Sequence, residues 1–183
     1  DFNEGLQNKS LLGARVDAQP HGGASIDQTQ QARGGAVRFL RSEGQYLNVP
    51  QSFLDDNSTA HTVSMWFKPA SLPKHGTGER GFLLESTAQG ATNNAQAWHL
   101  SLGLRATADP GKVNLQLYTV TLQPAASPGA APKQISQGPF DFLVDREQLR
   151  ERWNQVAFTF DSESLRLFLN GDLAVTHQLP VKG

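Results

Sequence analysis

The fold is decided by Arg152-Trp153-Asn154-Gln155-Val156-Ala157-Phe158-Thr159-Phe160-Asp161 and, after a short polar link, Leu165-Arg166-Leu167-Phe168-Leu169-Asn170-Gly171. Val156, Phe158 and Phe160 alternate with Ala157 and Thr159; Leu165, Leu167 and Leu169 alternate with Arg166 and Phe168. A period of two places every second side chain on one face, which extended backbone over a dry core explains and a helix does not. Asn170-Gly171 then signals a two-residue hairpin, because a type I′ turn needs positive φ at both central residues.

The same alternation runs outward through the chain. Val63, Met65 and Phe67 share one parity, as do Trp98, Leu100, Leu102 and Leu104, and again Val113, Leu115 and Leu117. Fainter strand patterns cover Val37–Leu40, Tyr46–Val49, Phe82–Glu85 and Asp172–Gln178. Three stretches read as long polar loops: Ala18–Gly35, Ser71–Gly81 and Gln123–Lys133. One helix is expected from Asp145 to about Arg152, with Asp145 as N-cap and Gln148 as its capping-box partner. About nine short strands with Gly- and Pro-rich turns imply an all-β protein, a two-sheet antiparallel sandwich with at most one short helix.

Composition narrows the function classes. The 183 residues carry 16 basic and 17 acidic side chains, a net charge of -1, which argues against nucleic-acid binding and against polybasic membrane attachment. Apolar runs stop at triplets such as Phe82-Leu83-Leu84, so no membrane insertion is expected. With no cysteine, disulfides, thiolate nucleophiles and Cys-ligated zinc are excluded.

Five segments in order resemble the laminin-G-like and pentraxin-like jelly rolls of the concanavalin A-like lectin/glucanase superfamily. They are Asp1-Phe2-Asn3-Glu4-Gly5, Gly35–Phe39 leading to Gln45–Pro50, Thr62–Pro69, Arg152–Asp161, and Leu165–Gly171. The resemblance implies a jelly roll over residues 1–183, one domain cut from a longer protein that is extracellular, periplasmic or associated with the cell envelope. Such domains often continue past the Asn-Gly hairpin with a further strand or two. Because this chain stops at Gly183, missing last strands and an open edge suited to self-association are expected. In pentraxin-like relatives an Asp-Asn pair before the strand matching Gln96–Leu104 helps bind calcium. Asn93 and Asn94 stand there and are neutral, a poor calcium site, so no cofactor is expected, with calcium as the alternative.

Catalytic motifs fare poorly. Gly76-Thr77-Gly78-Glu79-Arg80-Gly81 matches a dinucleotide pattern, but a strand-like run follows it where a helix is required. No Glu-x-Asp-x-x-Glu run offers the facing carboxyls of a jelly-roll glucanase; Asp161 and Glu163 flank a turn, and Glu147 and Glu151 share the expected helix with arginines. The histidines lack metal spacing, no nucleophile elbow occurs, and Asp55-Asp56-Asn57 reads as a turn. The sequons at Asn8 and Asn57 carry little weight at this length.

Aromatic phase is more informative. Trp98 shares the core parity, whereas Trp66 and Trp153 have the opposite one, and His99, Ser101, Gln116 and Tyr118 are also outward. An outward aromatic is either a ring for stacking a sugar or a residue covered by a long loop. The expectation is therefore a non-catalytic recognition module, not an enzyme, that takes a glycan or a protein ligand on a concave sheet and its rim. Its expected contacts are Trp66, His99 and Tyr118, with Asn93 and Asn94 at the rim and no metal ligands. The alternative is a structural or adhesion domain without a sugar site; a jelly-roll glycoside hydrolase comes third.

Overall fold

The computed structural model describes residues 17–27, 35–49, 60–87, 99–123, 133–161 and 163–178. The contacts divide the chain into two compact units, Asp1–Asp55 and Asp56–Gly183. The first holds two small antiparallel pairs. Here β1 (Gln19–His21) pairs with β4 (Tyr46–Asn48), and β2 (Ser25–Asp27) with β3 (Ala36–Arg38). The Ala18–Gly35 stretch, expected to be a loop, thus contains two strands, each too short for alternation to register. His21 and Tyr46 face each other in register, with their rings stacked at 4.5 Å.

The second unit is the jelly-roll β-sandwich. One sheet has the order β12-β11-β10-β5, from β5 (His61–Phe67), β10 (Asn154–Phe160), β11 (Ser164–Leu169) and β12 (Asp172–Gln178). The other is β6-β7-β8-β9, from β6 (Arg80–Thr87), β7 (His99–Ala106), β8 (Lys112–Gln123) and β9 (Lys133–Asp145). All pairings are antiparallel. Among the described residues, β5 and β12 end the first sheet and β6 and β9 the second.

The alternation becomes burial. On the first sheet Val63, Phe158, Leu167 and Val175 form one cross-strand row, and Met65, Val156 and Leu169 the next. On the second, Leu102 pairs Leu117, which pairs Phe140, and Leu104 pairs Leu115, which pairs Phe142. Leu102, Leu115, Leu117, Val156, Leu165 and Leu167 are fully buried, each contributing about 1.5–3 kcal/mol relative to exposure. The two apolar faces cover one another, and Phe140 of β9 meets His177 of β12 with ring centroids 4.4 Å apart.

Polar groups close the ends. The hairpin between β11 and β12 turns at Asn170 and Gly171, with φ of 53° and 90°, as the Asn-Gly pair demands. Buried Asn154 donates from Nδ2 to the carbonyls of Leu149 and Arg152, and its Oδ1 accepts from Asn170 Nδ2 at 3.1 Å. The connection from Ser71 into β6 is tied by Arg146, whose guanidinium donates to the Pro73 carbonyl at 2.8 Å, and by Gly76 N–H to Thr107 O at 2.7 Å.

Two expectations need correction. The helix α1 spans only Arg146–Leu149, and no capping box forms at Asp145. Its carboxylate is drawn instead to Lys112 Nζ, 2.7 Å away across the β8–β9 pair, and Glu151 at φ 54° leaves helical space to donate to Pro69 O. Strand β9, the longest in the molecule's described part, escaped the sequence reading because its first half, Lys133–Pro139, is polar and punctuated by Gly138-Pro139.

Leu167→Ala opens a cavity in this core and is expected to cost about 2–5 kcal/mol, whereas Leu173→Ala, at a side chain 57% exposed, should cost under about 0.5 kcal/mol. Urea unfolding followed by tryptophan fluorescence measures both.

A pH dependence follows from the turn at Asp161. Its carboxylate accepts the N–H groups of Glu163 and Ser164 at 2.9 and 2.6 Å, and these bonds hold its pKa below the ordinary 3.8. Stability from this turn is therefore complete above the unfolded-state value and is lost as pH falls through the lower folded-state one. Asp161→Asn keeps the acceptor but not the titration. Its stability should decline less than that of the parent between about pH 5 and pH 2 in an acid-unfolding series.

Candidate functional site

Burying one face of β6-β7-β8-β9 turns the intervening side chains onto the other, in rows fixed by register. Arg80, Arg105, Asn114 and Leu143 make one row. Phe82, Gly103, Gln116 and Asp141 make the next, and Glu85, Ser101 and Tyr118 the third. The middle row is shaped by Gly103. A Cβ there would meet the Gly81 carbonyl oxygen at 2.6 Å, so β6 and β7 approach closely only because position 103 has no side chain.

The result is a depression lined by Arg80, Phe82, Ser101, Gly103, Arg105 and Gln116. Phe82 stands at its side, 53% exposed, an apolar ring on a face that also exposes Leu143. Ser101 and Gln116 are buried in its floor, and Gln116 Nε2 donates to Asp141 Oδ1 at 2.7 Å. That bond fixes the amide and occupies one carboxylate oxygen. In the next row Asn114 Oδ1 is buried with no hydrogen-bond partner. The surface thus combines one aromatic face, oriented amide and hydroxyl groups, and two guanidinium groups.

The residues expected from the sequence separate. Tyr118 lies on this face opposite Ser101, half-buried, and His99 belongs to the same β7–β8 pair, opposite Val120. Trp66 is 42% exposed on the other sheet, paired with Gln155, whose Nε2 donates to Ser64 Oγ. Trp66 and Tyr118 are therefore not brought together. Trp153 is half-buried just before β10. Asn93, Asn94, Trp98, the Asp55-Asp56-Asn57 turn and both sequons lie outside the described residues.

Phe82 was invisible to phase counting. It sits two positions from Leu84 and should share its face, but a bulge between them sets Phe82 opposite Gly103 and Leu84 opposite Leu102. The available signal was Gly103 itself, since a lone glycine inside a strand pattern marks a bulge or a close backbone approach.

Elsewhere several carboxylates are engaged. Asp145 pairs with Lys112, Asp161 holds its turn, and Glu151 lies 3.5 Å from Arg150. Among the described residues no three acidic or histidine side chains converge on a point that could hold a metal ion. The Gly76–Gly81 segment leads into β6, not into a helix. A second cavity of about 390 Å³ opens between β9, β12 and the end of α1, lined by Phe142, Gln148, Arg152, Leu169 and Leu173 among others. No helix among the described residues is long and apolar enough to cross a membrane.

Comparison with known proteins agrees with this architecture. A laminin-G family model of the concanavalin A-like lectin/glucanases superfamily matches residues 41–182. No curated protein and no solved structure gives a significant match. Laminin-G-like domains often serve as binding modules, are generally non-catalytic and are typically extracellular. On its matched sequence and its two antiparallel sheets, the chain belongs to the concanavalin A-like lectin/glucanases superfamily.

Proposed function

We propose that the chain is a non-catalytic recognition module that binds an oligosaccharide on the outer face of β6-β7-β8-β9. The observation that carries this reading is the exposed Phe82 ring beside a depression lined by Ser101, Gln116, Arg80 and Arg105. A pyranose has an apolar C–H face and a hydroxyl rim. Phe82 offers the first a flat apolar partner. Gln116, held by Asp141, together with Ser101 and Tyr118, supplies hydroxyl partners at low ordering cost. His99 belongs to the same strand pair, opposite Val120; Asn93 and Asn94 lie outside the described residues. Trp66, on the other sheet, stands apart from this face.

The family's usual setting favours an extracellular or envelope location. A structural role, in which the module holds a neighbouring domain or another copy, gains support from β5, β12, β6 and β9, which end the sheets among the described residues, and from exposed Leu173. The two readings differ in what they bind.

A glycan array run with and without calcium decides between them. Binding to one glycan class, weakened about tenfold by Phe82→Ala with unchanged thermal stability, is the expected result. Silence across the array together with self-association in solution would overturn the glycan reading in favour of the structural one. Hydrolysis of any β-glucan would overturn both.

A further inference from the structure

The first row of the outer face sets Arg80 of β6 directly opposite Arg105 of β7. Directly opposed residues on antiparallel strands have Cβ atoms about 4.5–5.5 Å apart, and like charges at that spacing destabilise the pairing. Neither guanidinium has a hydrogen bond or an ion pair among the described residues, although acids are plentiful nearby. Each of those acids is engaged elsewhere. Asp141 accepts from Gln116, Asp145 pairs with Lys112, Glu79 Oε2 accepts from Lys74 N–H at 2.6 Å, and Glu85 has a partner of its own. The row itself continues through Asn114 to Leu143 and contains no carboxylate.

In a chain of net charge -1 this bare cationic pair is local, not a reflection of excess basic residues. Both arginines line the same depression as Phe82 and Gly103. Adjacent rows on one face lie about 6.8 Å apart, a distance long arginine side chains span easily. A sugar ring stacked on Phe82 would carry an exocyclic group into the space between the two guanidiniums, whose planar forks match carboxylate and sulfate oxygens.

We infer that the oligosaccharide bound here is acidic, with a carboxylate or a sulfate ester seated between Arg80 and Arg105. The inference rests on the glycan reading and deepens it. An anion between the arginines turns their repulsion into attraction. The free protein keeps the repulsion as a small loss of stability, and the ligand relieves it.

The test titrates the intact chain with size-matched neutral, uronate-bearing and sulfate-bearing oligosaccharides by calorimetry, at low and high salt. At low salt at least one acidic series should bind about tenfold or more tighter than the neutral one, and the stronger arm assigns carboxylate or sulfate. That advantage should fade at high salt and disappear in an Arg80→Gln/Arg105→Gln double variant, while Arg166→Gln on the other sheet retains it. Phe82→Ala should weaken neutral and acidic ligands alike. Neutral sugars binding as tightly as acidic ones, or the double variant keeping the acidic preference, overturns the inference and leaves the glycan reading standing. No binding by any series sinks both. Without ligand, Arg105→Gln should raise the melting temperature by about 1–2 °C, less at high salt; an unchanged or lowered value removes the premise of repulsion.

Discussion

Everything in the larger unit depends on keeping the space between its two sheets dry. Leu102, Leu115 and Leu117 on one side and Val156, Phe158, Leu165 and Leu167 on the other are buried only if every pairing holds its register. A slip of one residue would move each of them to water and bring Gln116, Arg105 and Asp141 inside, at a cost far above the stability of an ordinary domain. The core therefore fixes the outer face as well. Arg80 stands opposite Arg105, and Phe82 beside Gly103, because Leu104 is held against Leu115.

Polar contacts finish what burial begins. Asn154, 1% exposed, cannot remain unsatisfied, and its amide bridges the end of α1, the start of β10 and the turn at Asn170. Asn170 returns the contact, its Oδ1 accepting the Gln155 N–H at 2.8 Å. One pair of amides thus locks the β11–β12 hairpin to the strand beside it. Arg146 does the same for the Ser71–Gly81 connection, keeping a long irregular segment against the body from which β6 departs.

The sheet architecture was legible in the sequence wherever the core demanded strict alternation. Val156–Phe160, Leu165–Leu169 and Asp172–Gln178 fall within strands β10, β11 and β12, and Asn170-Gly171 makes the expected turn. Where pairing did not need alternating apolar residues, the signal vanished. Strands β1 and β2 are three residues each, and the first half of β9 is polar. The helix was overestimated because a capping motif reads only local chemistry, and Lys112 lies far away in sequence. The site was half legible for a related reason. Parity tells inside from outside, so Ser101, Gln116, Tyr118 and Trp66 were sorted correctly by face. It does not tell which sheet an outward residue belongs to, and that separates Trp66 from Tyr118.

The spare residue in β6 has an evolutionary corollary. Because Leu83 absorbs the mismatch between Phe82 and Leu84, the outward ring and the inward leucine are no longer bound to one phase. The outward positions and the buried ones interleave along the same strands. Every second side chain of β6, β7 and β8 can be exchanged while the hydrophobic interior is kept intact. That is one physical reason a single sandwich scaffold diversifies among relatives whose overall sequences drift far apart.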